Sequence, residues 1–389
     1  MSATALTPGY TTLAAAITTT SATSITVTDA SGFPSSTAYS IMVDSEQMTV
    51  TAGFGTTTWT VTRGAGGTTA ATHLIAANVF MCATNLMEIE KGGFFESLVT
   101  RYNPSLQRNT FEEFFESVIV EEHAELKGLK APASFEHLTN WLSYAVKGGV
   151  VPTTSDSHAY TWVFSPTSSA DDLAGMGAEA FTDTAAYHVG SAYCDQLVID
   201  VKRGTTTADI TADFIAQQAW QMGAKTPGIS RITQNLLNPA YGQTYIDTTT
   251  IGTTVFNDVD EVKFTIKNGF QQLFFLNNKL YPTGIVRPTR HLQVEISKWF
   301  DDATELANAM NAVGNGYERK TRLTVTGPTI TGSSSTNSLT VDGYLYWDTF
   351  PFKMDKDTWL VNFTGRSVYD STAGNSWQMT LVNDLSTIP

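Results

Sequence analysis

Six glutamates fall within fourteen residues of this chain: Glu112, Glu113, Glu116, Glu121, Glu122 and Glu125, with His123 among them. Carboxylates and an imidazole at this spacing can offer ligands to a divalent cation, or they can charge a surface against anions. The run overlaps residues 115–126, which read as a strand with Val118 and Val120 on one face and Ser117, Ile119 and Glu121 on the other. Glutamate is a poor strand former. So much of it on one strand marks an exposed face, either plainly solvated or lining an electronegative lumen. His123 reads as a charge-paired surface group rather than a ligand.

Other residues with chemical potential are better explained structurally. Gly64-Ala-Gly-Gly-Thr68 is loosely like a phosphate loop, but it lacks the Lys-Ser/Thr ending and leads into no helix, so a hairpin turn is expected. Asp171-Asp172, Asp301-Asp302 and the Asp258/Asp260 pair sit in Ser/Gly-rich text or at helix starts, where carboxylates cap and turn the chain. The remaining histidines are scattered, and CxxC, HExxH and GxSxG are all missing. Cys82 and Cys194 lie in apolar strand-like text and read as two reduced, buried thiols. No acid–base pair, metal or cofactor is expected, and the chain is read as a non-enzyme.

The elements that position these residues are mainly strands. The 389 residues are 42% hydrophobic and only 15% charged, which opposes disorder. Thr, Ser, Gly and aromatics are abundant, as strands and turns require. No apolar run approaches about 18 residues, so no membrane span is expected. The N-terminus lacks a basic segment followed by an apolar core, so no signal peptide is expected. The net charge is −14. A protein that grips nucleic acid by its phosphates should be basic, so this one either ignores DNA or must avoid holding it.

Residues 1–82 hold one basic residue, Arg63, and three acidic ones, Asp29, Asp44 and Glu46. Short strands at 24–28, 39–43, 47–52 and 58–62 predict a separate all-β module. Its core would be Ile25, Val27, Phe33, Ile41, Val43, Met48, Val50, Trp59 and Val61. The rest reads as one pattern twice. Asn85-Leu-Met-Glu-Ile-Glu-Lys-Gly-Gly-Phe-Phe-Glu-Ser-Leu-Val-Thr-Arg101 aligns with Asp260-Glu-Val-Lys-Phe-Thr-Ile-Lys-Asn-Gly-Phe-Gln-Gln-Leu-Phe-Phe-Leu276. Each is followed by a strand (115–126 or 291–299), an amphipathic helix (134–146 or 302–313) and a further strand (160–166 or 319–328). Strands at 192–202 and 207–217 close the first copy, and strands at 359–369 and 377–382 close the second. Ser134 is the expected N-cap of the first helix, and Gly148-Gly149 its end. The expected division is a module at 1–82, one domain at 83–222, a connection at 223–256 with a short helix near 232–237, and a second domain at 257–389.

The order of motifs resembles the major tail (tail tube) proteins of long-tailed bacteriophages. It is carried by Phe135-Glu-His-Leu-Thr-Asn-Trp-Leu-Ser-Tyr-Ala-Val-Lys-Gly-Gly149, Tyr160-Thr-Trp-Val-Phe-Ser-Pro166, Tyr193-Cys-Asp-Gln-Leu-Val-Ile-Asp-Val201 and Ala208-Asp-Ile-Thr-Ala-Asp-Phe-Ile215. Residues 11–80 resemble a small β-module appended to many phage virion proteins, through Gly32-Phe-Pro34, Val43-Asp-Ser-Glu-Gln-Met-Thr-Val50, Trp59-Thr-Val-Thr-Arg63 and Gly67-Thr-Thr-Ala-Ala-Thr-His73. Where the pattern often continues with Gly, this chain has Leu74-Ile-Ala-Ala-Asn78.

The resemblance implies two tandem tail-tube-type β-sandwich or barrel domains, each with one short helix, and a structural virion subunit. Such subunits stack as rings into a tube that conducts DNA during ejection without binding it specifically. Two tube domains per chain imply three chains per pseudo-hexameric ring. The partners implied are further copies of the chain and other tail proteins at the tube ends, with no membrane. The implied location is the phage virion, after synthesis in the host cytoplasm. The six glutamates are the candidate lumen residues. The candidate ring-to-ring loops carry Tyr102, Asn103, Pro104, Leu280, Tyr281 and Pro282, and the module would decorate the exterior or the ring seam. Two alternatives stay open. One is another virion or surface-layer component, such as a baseplate, fibre or capsid part. The other is a carbohydrate-binding or hydrolytic β-protein using Trp59, Trp162, Trp347 and Trp377.

Overall fold

The computed structural model describes residues 3–5, 9–84, 86–87, 89–90, 94–102, 118–166, 175–181, 186–217, 221–229, 231–277, 279–287, 289–299, 307, 318–349, 352–355 and 358–388. It is mainly β. After a short arm, β1 (Ala3–Ala5), six strands make the first sheet: β2 (Tyr10–Thr12), β3 (Ser24–Thr26), β4 (Tyr39–Val43), β5 (Glu46–Ala52), β6 (Thr58–Ala65) and β7 (Asn78–Met81), in the order β2-β7-β4-β5-β6-β3. Period-2 alternation sends Ile41, Val43, Met48, Val50, Trp59 and Val61 to one side. There they join Ile25, Val27 and Phe33, and the whole expected core is buried. The short neighbouring strands β2 and β7, with Leu13, Ile17 and Val79 on or beside them, were not legible as strands. They are three and four residues long.

The remaining strands are β8 (Phe94–Tyr102), β9 (Val118–Pro132), β10 (Thr153–Asp156), β11 (Ala159–Phe164), β12 (Met176–Phe181), β13 (Ala186–Lys202), β14 (Asp209–Ala216), β15 (Gln221–Gly223), β16 (Gly242–Asp247), β17 (Val259–Lys267), β18 (Gln271–Leu273), β19 (Gly284–Val286), β20 (His291–Trp299), β21 (Glu318–Thr329), β22 (Thr336–Thr349), β23 (Phe352–Asp355), β24 (Thr358–Ser367) and β25 (Trp377–Asn383). Apart from β18 and β19, which pair with each other while β19 also pairs with β1, they form one sixteen-stranded sheet. Within it the topology repeats. The first half runs β8-β9-β14-β13-β12, and the second runs β17-β20-β24-β22-β21. In each half the first two strands are a hairpin, the fifth lies beside the second, and the fourth and third follow outward.

The halves are not separate. The fourth strand of the first half, β13, pairs antiparallel with the first strand of the second, β17, from Gln196↔Lys267 to Lys202↔Glu261. The hairpin β10-β11 leaves its own half and pairs with β25. One hydrophobic core therefore takes in Phe214 and Ile199 from one half and Phe264, Phe363 and Trp377 from the other.

The helix α1 (Phe135–Ala145) fills the middle of this core. Ser134 caps it by accepting from the His137 amide at 3.1 Å, and the turn beyond ends at Gly149 with φ +66°. Phe135, Leu138, Leu142 and Val146 are buried as expected, but so are Glu136, Thr139, Asn140 and Trp141, because sheet covers the helix on several sides. The second half clamps both helix ends. Asn383 donates to Phe135 O and Thr139 Oγ1, both at 2.9 Å, and accepts from Trp162 Nε1 at 3.0 Å. Asn268 donates to Ala145 O and Cys194 O.

The connection differs from expectation. No helix forms at 232–237, where the backbone is tied to its neighbours instead. Phe135 N donates to Asn235 O, Leu237 N to Ala133 O and Ala208 N to Leu237 O. Pro239 then starts a single 3-10 turn, and Gly242–Asp247 is a strand that pairs with β21. The helix expected at 302–313 lies outside the described residues except for Ala307.

Candidate functional site: an open sheet face and its two edges

Seven strands, β8-β9-β14-β13-β17-β20-β24, bury one face against the core and leave the other open. On β14 the buried set is Ile210, Ala212, Phe214 and Ala216, so Asp209, Thr211 and Asp213 point the other way. By the same alternation the open face carries Glu121, His123 and Glu125 on β9, Val198, Asp200 and Lys202 on β13, Glu261, Lys263 and Lys267 on β17, Glu295 on β20 and Arg366 on β24. Both signs are present and many are paired. Lys130 lies 2.9 Å from Asp209 and 3.2 Å from Glu90, Lys202 lies 2.7 Å from Glu261, and Lys127 bridges to Glu125.

The glutamate run is split by the strand's own period. Glu121 and Glu125 share the open face with His123, whose Nε2 is 3.8 Å from Glu125 Oε1, while Glu122 faces the opposite way. Glu112, Glu113 and Glu116 lie outside the described residues. Along this face the described side chains are of mixed charge and do not form a purely acidic wall. Among the described residues no three His, Cys, Asp or Glu come together in a metal-binding arrangement.

Two carboxyls on β13 are displaced from the ordinary range. Burial first, and Glu261 second, push Asp200 up to about 6, against the pull of Lys263 and Lys202. Asp200 sits at the β13–β17 junction, opposite Asp209 on one side and Lys263 on the other. Asp195 is also raised, by burial and by Asp213 and Glu125, although the Phe270 amide donates to it at 2.8 Å.

Of the expected loop residues, Tyr102 ends β8, and Asn103 and Pro104 lie outside the described residues. Leu280 is exposed, Tyr281 half-buried and Pro282 buried. Leu280 O accepts the Glu122 amide at 2.8 Å, so this loop lies along the start of β9. Phe275 and Leu276 beside it are exposed. The four tryptophans of the carbohydrate alternative, Trp59, Trp162, Trp347 and Trp377, are all buried.

The edges matter as much as the face. β8 ends the strand order and, among the described residues, pairs with β9 alone. Before it, Glu90 N donates to Lys130 O, so Glu90 lies beside the end of β9 as β17 lies beside β20. In the internal alignment Ile89 corresponds to Phe264. Ile89 is 41% exposed, whereas Phe264, covered by β13 and β20, is 1% exposed. At the other end, β23 pairs only with β24 among the described residues.

The six-stranded sheet meets the first half at a seam. Phe80 points away from its own sheet's core and stacks on His188 of β13, with ring centroids 4.2 Å apart. Gly223 permits the approach, since a Cβ there would come 2.8 Å from the Phe80 ring and 3.1 Å from His188. The Ala83 amide donates to Thr226 Oγ1, which donates to Glu179.

The buried polar cluster of the small sheet was visible only as motif residues. Glu46 accepts from Arg63 Nε and Nη2 at 2.7 Å each, from the Gly64 and Ala71 amides, and faces His73 Nε2 at 2.9 Å. Asp44 lies 2.7 Å from His73 Nδ1. Burial would raise the Glu46 carboxyl, but these bonds outweigh it and hold it at about 2. Every group is engaged by the protein, so the cluster works as an internal staple.

Neither protein-family models nor curated proteins gave a match to this chain.

Proposed function

We propose that the chain is a structural subunit that assembles edge to edge into closed rings, and that the rings stack into a tube of the phage-tail type through which DNA passes. One observation carries this reading: the fourth strand of the first half is paired with the first strand of the second, while among the described residues the outer strand β8 and the strand β23, which follows β22 along β24, each pair on one side only. A head-to-tail contact of this kind uses two different surfaces and either closes a ring or runs on as a filament. Repeating the β13–β17 junction between chains would place β23 beside Ile89 and Glu90 of the next chain. It would cover Ile89 as Phe264 is covered, and it would remove edges that otherwise invite uncontrolled pairing. Three chains then supply six repeats per ring.

The open face is the wall of the channel in this reading. Of its lysines, Lys127, Lys130 and Lys202 are paired with carboxylates, and Lys263 stands in register between Asp200 and Glu295. Paired cations release few counterions on meeting phosphate, so DNA gains little by binding there. The absence of adhesion rests on neutralised pairs in a net acidic subunit, not on glutamates alone.

The test is Ile89→Asp. The exposed position predicts a subunit that melts as the parent does. The buried junction predicts that sedimentation then shows only single chains at concentrations where the parent forms rings. Assembly unaffected by Ile89→Asp contradicts this junction.

A further inference from the structure

The seam between the six-stranded sheet and the large sheet has a feature the assembly does not require. Phe80 is 4% exposed yet is no part of its own sheet's core. What covers it is His188, Gly223 and Tyr10, whose ring lies 5.2 Å away. The imidazole is fixed on both sides. Its Nε2 lies 3.0 Å from Ala224 O, which makes Nε2 the protonated nitrogen of the neutral ring and leaves the Nδ1 lone pair 4.0 Å from Glu179 Oε2. Glu179 is in turn bonded to the Thr226 amide and hydroxyl at 2.8 and 2.6 Å, and Thr226 Oγ1 accepts from Ala83 in the chain leaving β7. The stack and the covalent connection between the two sheets therefore meet in one hydrogen-bonded group. A cavity of about 410 Å³ adjoins it, so the seam is not packed solid.

We propose that this seam is a proton-gated hinge, with the neutral His188 ring holding the small sheet against the large one and the protonated ring releasing it. The titratable groups around the ring are Glu179 of β12, Tyr10 of β2, Cys82 beyond β7, Tyr144 of α1 and Tyr193 further along β13. Of these, Glu179 is the carboxyl that faces Nδ1. On protonation Nδ1 becomes a donor facing that carboxylate, so the ring has a reason to turn from Phe80 toward Glu179. Burial already disfavours the charged ring, and Glu179 offsets this only in part, leaving His188 below its ordinary value in the closed seam. The sign follows: the open seam binds the proton more readily, so closure is complete above the ordinary histidine value and weakens as pH falls below it.

Hydrogen exchange on the full chain tests this, reading the amides of 78–84 and 221–226 at pH about 8, 6.5 and 5 after correction for intrinsic rates. The expected result is a progressive loss of seam protection as pH falls from about 8 to about 5, with the β9 and β14 amides unchanged. The His188→Phe variant keeps a stacking ring that cannot titrate, and its seam protection is expected to stay constant. Parent protection that does not vary with pH overturns the proposal, as does an equal loss in His188→Phe. Should that variant fail to fold, a direct titration of the parent His188 decides: a value above that of a free histidine overturns the hinge.

Discussion

Replacing Glu46 by alanine puts the clearest number on the small sheet. The carboxylate is wholly buried and accepts four N–H bonds, two from Arg63 and one each from Gly64 and Ala71, besides facing His73. Its removal leaves the Arg63 guanidinium, whose side chain is 6% exposed, without a counterion. Two carbonyls, Thr19 O and Ala22 O, remain as partners of Nη1, and Ala71 O of Nη2. Breaking one side of a buried pair costs about 3–5 kcal/mol. A module of this size holds about 4–10 kcal/mol in all. Glu46→Ala is therefore expected to unfold the small sheet, or bring it close, while the large sheet persists. Exchange-protected amides of β4 to β6 read the first, and those of β13 and β14 the second. The pH dependence has a defined sign. The folded carboxyl is held near 2, below its unfolded value, so its contribution is complete above about 4.5 and is lost as pH falls from there toward 2. Changing Glu46 and Arg63 together to Leu and Met is expected to recover part of the loss, because no unpaired charge remains. A Glu46→Ala protein that keeps full protection in β4 to β6 would refute the reasoning.

Three further outcomes are expected. Asp200→Asn removes a carboxyl that the fold raises to about 6. Such a group penalises the folded state from its ordinary value of 3.8 upward and fully above about 6, so the variant gains most at pH about 8, about half as much at about 5 and nothing below about 3. The gain is about 1 kcal/mol after allowing for half-exposure, and it is read from urea midpoints. Asn383→Leu strands Trp162 Nε1 and Phe135 O in the core, and the melting curve should record a loss of about 2–3 kcal/mol. Gly223→Val drives a side chain into Phe80 and His188; small-angle scattering should show the small sheet detached, with both sheets still folded.

Long elements with clean alternation were legible: residues 291–299 gave β20, 39–43 gave β4, and Ser134 capped α1 as its side chain predicts. The repeat was legible as well, because Asn268-Gly269 and Gly92-Gly93 interrupt the same pattern in both copies. What one strand's pattern does not carry is its neighbour. Nothing in residues 159–164 says that they pair with 379–383 rather than with their own half. The 232–237 segment has helical spacing, but its amides and carbonyls find partners on Ala133, Phe135 and Ala208, and tertiary bonds override local preference. The face of the glutamate run was half legible, since a period of two separates Glu121 from Glu122 but not the paired lysines from other strands. Glu179, His188 and Phe80 gave no signal, being single residues far apart in sequence.

The central claim is that open edges on one chain are filled by the next. Negative-stain microscopy of the purified full chain, with its solution mass measured on the same sample, tests this most directly. The account predicts rings with an open centre and a mass three times the chain's 42.2 kDa. Closed rings of six chains would contradict the reading of the repeat, and a chain that stays single at every concentration, with its edges open, would contradict the assembly itself.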